Sequence, residues 1–177
     1  RTMGSAEMAA GTDSGYIYEF RDVTFAPGTI KAVATKGGKV VAQHEIQTAG
    51  DPAAIKLTLH TGPQGLQADG SDVALVDFEV VDAQGRRCPT DEARVDFAVT
   101  GPAVWRGGFS ASKLETTNNL YLDTDCGINR VAVRSTLTAG EITVTATRPG
   151  LKPATVKIPA KAMEITAGLQ KMMPQRL

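Results

Sequence analysis

Only two cysteines and two histidines occur among the 177 residues, and aromatic side chains make up just 5%. So few thiols and imidazoles leave little from which to assemble a metal centre, and no cofactor is expected. Neither charge sign is in excess: 19 Lys+Arg balance 19 Asp+Glu, and the pI is near 6.9. Proteins that grip nucleic-acid phosphates carry a basic surplus, so a nucleic-acid partner is not expected. No apolar run approaches the roughly 18 residues of a membrane helix, which argues against a membrane partner. After Arg1-Thr2-Met3-Gly4 no apolar leader follows, so no signal peptide is expected within these residues. What is abundant is Gly, with 18, and Pro, with nine, the punctuation of many turns between short strands. The length allows one medium domain or one and a half small ones, with core enough to fold without disulfide or metal.

Alternation supplies the elements. Tyr16–Phe20 alternates over a strand length. Ala26-Pro27-Gly28-Thr29 turns, and Ile30–Thr35 reads as a second strand. Lys36-Gly37-Gly38-Lys39 is a two-glycine hairpin turn leading into Val40–Ile46. These strands are too few to close a sandwich, so a truncated unit over residues 1–50 is expected, and with it a fragment of a longer protein. Gly50-Asp51-Pro52 breaks the pattern and is the expected boundary.

From Ala53 a fuller set follows: Ile55–Leu59, Val73–Val81, Arg94–Val99, Val104-Trp105, Leu120–Leu122, Asn129–Ser135, Glu141–Thr147 and Ala154–Ile158. Short strands at this rhythm, with no helical period, predict an all-β, antiparallel immunoglobulin-like β-sandwich over 53–160, preceded by a partial second β-sandwich. Residues 161–177, broken at Met172-Met173-Pro174, read as linker or tail.

Strings in both units carry a family resemblance. The second unit has Gly65-Leu66-Gln67-Ala68-Asp69-Gly70-Ser71-Asp72-Val73-Ala74, Val80–Thr90 around Asp82-Ala83-Gln84-Gly85, and Ala139–Thr147 followed by Gly150-Leu151-Lys152-Pro153-Ala154. This resembles the immunoglobulin-like C-terminal domain of bacterial family 2 glycoside hydrolases, in the β-galactosidase group. Phe25–Ala34 and Thr48–Pro52 resemble the sandwich domain preceding it in the same enzymes. The resemblance implies that catalysis belongs to a (β/α)-barrel elsewhere in the parent, with one Glu as acid/base and another as nucleophile. No catalytic residue therefore carries over. It also implies a periplasmic or secreted parent whose barrel and sandwich domains are this region's partners.

Each candidate site has a plain alternative. Asp69/Asp72, Asp91/Glu92 and Asp123/Asp125 are spaced to suggest a carboxyl pair of the kind a retaining glycosidase holds about 5 Å apart, or a calcium loop at the first or last. All lie in expected turns, where Asp accepts local backbone N–H groups. Cys88 and Cys126 would pair only in an oxidising compartment, and two free thiols is the favoured reading. Trp105, Phe109 and Tyr121 form a trio able to stack on a sugar ring, or else fill a core or interface. The expected role is thus a non-catalytic scaffold for an absent barrel. The alternatives are a carbohydrate-binding module with Trp105 at its centre, with glycan as partner, or an adhesion-type repeat. The open strand edges of the first unit are expected to self-associate or pair with another chain.

Overall fold

A strand whose side chains alternate inward and outward is stable only when its inner row meets a second apolar row. The structure, a computed structural model, describes residues 24–110, 116–166 and 169–170, and it divides between Thr48 and Ala49 into two compact units. The expected strand Tyr16–Phe20 lies outside the described residues.

In the first unit, β1 (Thr29–Lys36) and β2 (Lys39–Gln47) form an antiparallel hairpin. Gly37 and Gly38 turn it at φ of 57° and 75°, left-handed values that a side chain resists and that suit the twist of a two-residue hairpin. Ile30 faces Ile46 and Ala34 faces Ala42, and the register slips at a bulge between Ala34 and Thr35. Every residue of both strands is exposed.

The second unit has two sheets. One, in the order β3-β5-β9-β7, comprises β3 (Ala54–His60), β5 (Val73–Val81), β7 (Ala103–Gly107) and β9 (Ile128–Ser135), all antiparallel. The other, in the order β4-β11-β10-β6-β8, comprises β4 (Leu66–Gln67), β6 (Arg94–Thr100), β8 (Tyr121–Asp123), β10 (Gly140–Thr147) and β11 (Ala154–Lys161). In it β4 pairs parallel with β11, while the remaining ladders are antiparallel. Strand β4 escaped the sequence reading because two residues give no alternation to detect. Within the segment expected as linker or tail, β12 (Ile165–Thr166) and β13 (Leu169–Gln170) pair as a short antiparallel ladder, missed for the same reason.

The core lies between the two sheets. Val76, Phe78, Val131 and Val133 come from one layer and Val95, Phe97, Ile142, Val144 and Ile158 from the other. Phe78 meets Phe97 edge to face, with ring centroids 5.0 Å apart. Phe97 in turn lies 5.3 Å from Trp105. Aromatic pairs in such geometry add to the area they bury. One close approach demands glycine: at Gly127, with φ of 79°, a Cβ would stand 2.1 Å from the Cys88 carbonyl oxygen.

Phe78 is fully buried at the centre of this layer contact. Phe78→Ala is therefore expected to destabilise the second unit by about 3–5 kcal/mol, read as a lower urea midpoint with an unchanged slope. Gly127→Ala should also destabilise, because the backbone around Cys88 has to shift.

Candidate functional site

The sequence-predicted aromatic trio separates in the structure. Trp105, opposite Val133 on β7, turns toward the layer interior, packs on Phe97 and donates its indole N–H to the Asn119 carbonyl at 2.7 Å. It is half-buried. Tyr121 stays at the surface of β8, with the Arg94 guanidinium 3.9 Å from its ring centroid. Arg94 is held there by Asp96. Phe109, just past β7, is 67% exposed. The ring pairs among the described residues are Phe78–Phe97 and Phe97–Trp105, so Trp105 shares no ring contact with Tyr121 or Phe109. Beside Tyr121 lies a shallow cavity of about 330 Å³, lined also by Glu92, Arg94, Thr116 and Asp123.

Of the carboxylates singled out from sequence, Asp69 and Asp72 serve the backbone. Asp69 accepts the amide N–H groups of Ser71 and Asp72 at 2.8 and 2.7 Å, and Asp72 accepts those of Gln67 and Val73. Together they lock the turn into β5. Asp125 accepts the Asn129 side-chain amide at 3.1 Å. Asp91 is buried, paired with Arg148 at 2.8 Å and accepting the Thr124 hydroxyl at 2.6 Å. Burial alone would raise the Asp91 pKa, but the Arg148 and Thr124 hydrogen bonds outweigh it and hold the carboxyl below its ordinary range. Among the described residues no three His, Cys, Asp or Glu side chains gather as a metal-ligating group.

The most heavily engaged carboxylate was read from sequence only as part of a turn. Asp82 follows β5 and is buried. It accepts the Gly50 amide at 2.8 Å, the Gln84 and Arg86 amides at 2.9 Å each, and the Arg86 side chain at 2.7 Å. Burial works against its charge, yet these donors win and hold its pKa far below the ordinary range. Next to it, buried Cys88 offers its thiol toward the Gly50 carbonyl at 3.6 Å. Burial pushes that thiol up, and the charges of Asp82 and Asp91 push it further. Gly50 is thereby gripped at both N–H and C=O. The Asp82–Gly85 turn pattern was visible in sequence; its long-range bond to Gly50 carried no local signal. Cys126 is exposed, and both thiols are free.

A third cluster lies on the outer face of the β3-β5-β9-β7 sheet. Asp77 on β5 is bound by both Nε and an Nη of Arg130 on β9 and by His60 on β3 at 2.9 Å. The Arg130 hydrogen bonds are the chief reason its pKa is lowered, burial opposing and His60 assisting. Lys56 meets Glu79 at 2.8 Å one row away. These are cross-strand ion pairs of the ordinary, partly solvated kind.

Two family models match the chain. Residues 57–157 match glycoside hydrolase family 2 C-terminal domain 5, and residues 1–42 match a domain of unknown function. A β-glucuronidase of Formosa agariphila is 48% identical over 163 residues, 92% of this chain and 17% of that protein. A β-galactosidase of Bacteroides ovatus is 36% identical over 143 residues, 80% of this chain and 17% of that protein. Among solved structures, a β-glucuronidase from glycoside hydrolase family 2 superposes with a TM-score of 0.84 at 47% identity, covering 94% of this chain and 18% of that one. A family 2 member from Bacteroides cellulosilyticus gives 0.72 at 31% identity, covering 78% and 18%. The chain spans about a sixth of the length of the curated relatives it matches.

The depressed carboxyls set an acid limb. A carboxyl whose folded pKa lies below its unfolded value, about 3.9 for Asp, stabilises above that value and loses the contribution as pH falls through the folded pKa. Melting midpoints should therefore fall steadily from about pH 5 downward. Asp82→Asn should lower the neutral-pH midpoint and flatten that limb. A thiol reagent such as dithionitrobenzoate should label Cys126 quickly and Cys88 only on unfolding.

Proposed function

The chain belongs to glycoside hydrolase family 2, through its C-terminal domain 5, and from that premise we propose that it is a non-catalytic β-sandwich region scaffolding the barrel and sandwich domains of a longer enzyme. The observation that carries this reading is how the polar groups are used. Asp69, Asp72, Asp82 and Asp91 spend their oxygens on backbone amides, Arg86, Arg148 and Thr124, which stiffens loops. A retaining glycosidase instead needs two carboxyls facing a sugar across about 5 Å. The inward turn of Trp105 onto Phe97 supports the scaffold over a sugar-stacking platform, since a ring engaged in the layer contact offers less surface to a ligand.

In this reading the parent is an exported hydrolase of β-linked glycosides. The two curated relatives are named a β-glucuronidase and a β-galactosidase, at 48% and 36% identity. A β-glucuronide therefore stands as substrate alongside the β-galactoside that the resemblance to the β-galactosidase group implies.

The test has two arms. The chain alone should turn over neither nitrophenyl β-glucuronide nor nitrophenyl β-galactoside, while the parent enzyme hydrolyses one of them. Calorimetric titration of the chain with galactose, lactose, glucuronic acid and galactan oligosaccharides should give no saturable heat at millimolar ligand. Saturable binding lost on Trp105→Ala would replace the scaffold with a carbohydrate-binding module.

A further inference from the structure

The two outer faces of the sandwich differ in chemistry. On the β4-β11-β10-β6-β8 sheet the outward row of β10 is Glu141, Thr143, Thr145 and Thr147, and that of β11 is Thr155, Lys157, Pro159 and Lys161. Such a surface is content in water. The outer face of the β3-β5-β9-β7 sheet is built otherwise. Registers place Val73 beside Arg134 and Arg134 beside Val104 in one row, and Leu75 beside Ala132 in the next. These positions alternate with the buried core residues Ala74, Val76, Val131 and Val133, so they point away from the core. Arg106 is the extra residue at the β7 bulge opposite Ala132, and it is exposed.

Among the described residues the charges on this face do not cancel. Both acids are already taken, Asp77 by Arg130 and His60 and Glu79 by Lys56. Arg106 and Arg134 are left over, with no side-chain acceptor among the described residues, and the Arg134 Nε is closed off from solvent without a hydrogen-bond partner. A guanidinium group that has lost water on one edge and gained no acceptor sits at a cost. A carboxylate docking on the outer Nη edge of the same group adds a charge-assisted pair. Apolar side chains interleaved with two uncompensated arginines make a surface complementary to one that is apolar with acidic groups, as interface centres enriched in Arg are.

We propose that this outer face, centred on Val73, Leu75, Val104 and Ala132 with Arg106 and Arg134, is where the region docks on a carboxylate-bearing surface of another domain of the same polypeptide. The proposal rests on the scaffold reading and names the face that performs it. The opposite, threonine-rich face stays in solvent.

The experiment uses the parent enzyme. Arg106→Glu with Arg134→Glu is compared with a neutral pair, Arg106→Gln with Arg134→Gln, and with Thr145→Glu plus Thr155→Lys on the opposite face. Docking at the arginine face predicts that the Glu pair lowers the parent's melting midpoint by about 2–4 °C or more, that the Gln pair does so by less, and that the threonine-face pair leaves it unchanged. It also predicts that phenylglyoxal modifies Arg106 more slowly in the parent than in the 177-residue chain. Equal modification in both, with no loss in the Glu pair, overturns the proposed face. If the threonine-face pair then lowers the midpoint, the scaffold reading survives with its surface on the other sheet. If no pair changes it and removing residues 49–161 leaves the midpoint in place, the scaffold reading falls as well.

Discussion

The contact on which the second unit depends is the meeting of two apolar rows across the layer boundary, with Phe78 of β5 set edge to face with Phe97 of β6 and Trp105 of β7 also packed on Phe97. Neither sheet can bury its inner face alone, so each is stable only in the presence of the other. The strands that matter most are therefore the central ones. β5 and β10 carry strictly alternating buried residues along most of their length, while β4 and β8, the edges of the five-stranded sheet, are only two and three residues long. Short edges also limit pairing with other chains. The β1–β2 hairpin, whose strands are exposed throughout, has no comparable layer among the described residues.

Around this core, polar chemistry is spent on fixing the backbone. Asp82 closes its own turn and at the same time holds Gly50, 32 residues earlier. Asp91 joins the loop before β6 to Arg148 after β10 and to Thr124 after β8. Buried carboxylates of this kind are costly unless fully satisfied, and here several donors converge on each. The outcome is a second unit whose loops are tied to one another across the ends of its strands. The acids that look paired in sequence, Asp69/Asp72 and Asp91, are thereby engaged by local amides, Arg148 and Thr124.

A good part of this was legible in the residues. The strands β1, β2, β3, β5, β6, β9, β10 and β11 were read within a residue or a few of their ends, because each is long enough for period-2 alternation and is bounded by Gly, Pro or Asp. The family was legible too, from the Ala68-Asp69-Gly70 and Asp82–Gly85 turn strings. The two-residue strands β4, β12 and β13 were not, since alternation needs more positions than they have. The aromatic trio shows a different limit. Composition could name Trp105, Phe109 and Tyr121, but the direction in which Trp105 points depends on its register with Val133, a partner 28 positions away.

By itself, then, the sequence determined the all-β class, the turn positions, the sandwich of the second unit and the family, because local alternation and turn chemistry are written in neighbouring residues. Tertiary structure alone decided which face of each sheet is buried, that Asp82 grips Gly50, and that among the described residues Arg106 and Arg134 are left without acids while Asp77 and Glu79 are taken. Those outcomes depend on cross-strand register and on contacts between residues tens of positions apart. A linear pattern of alternation does not specify which strand lies beside which.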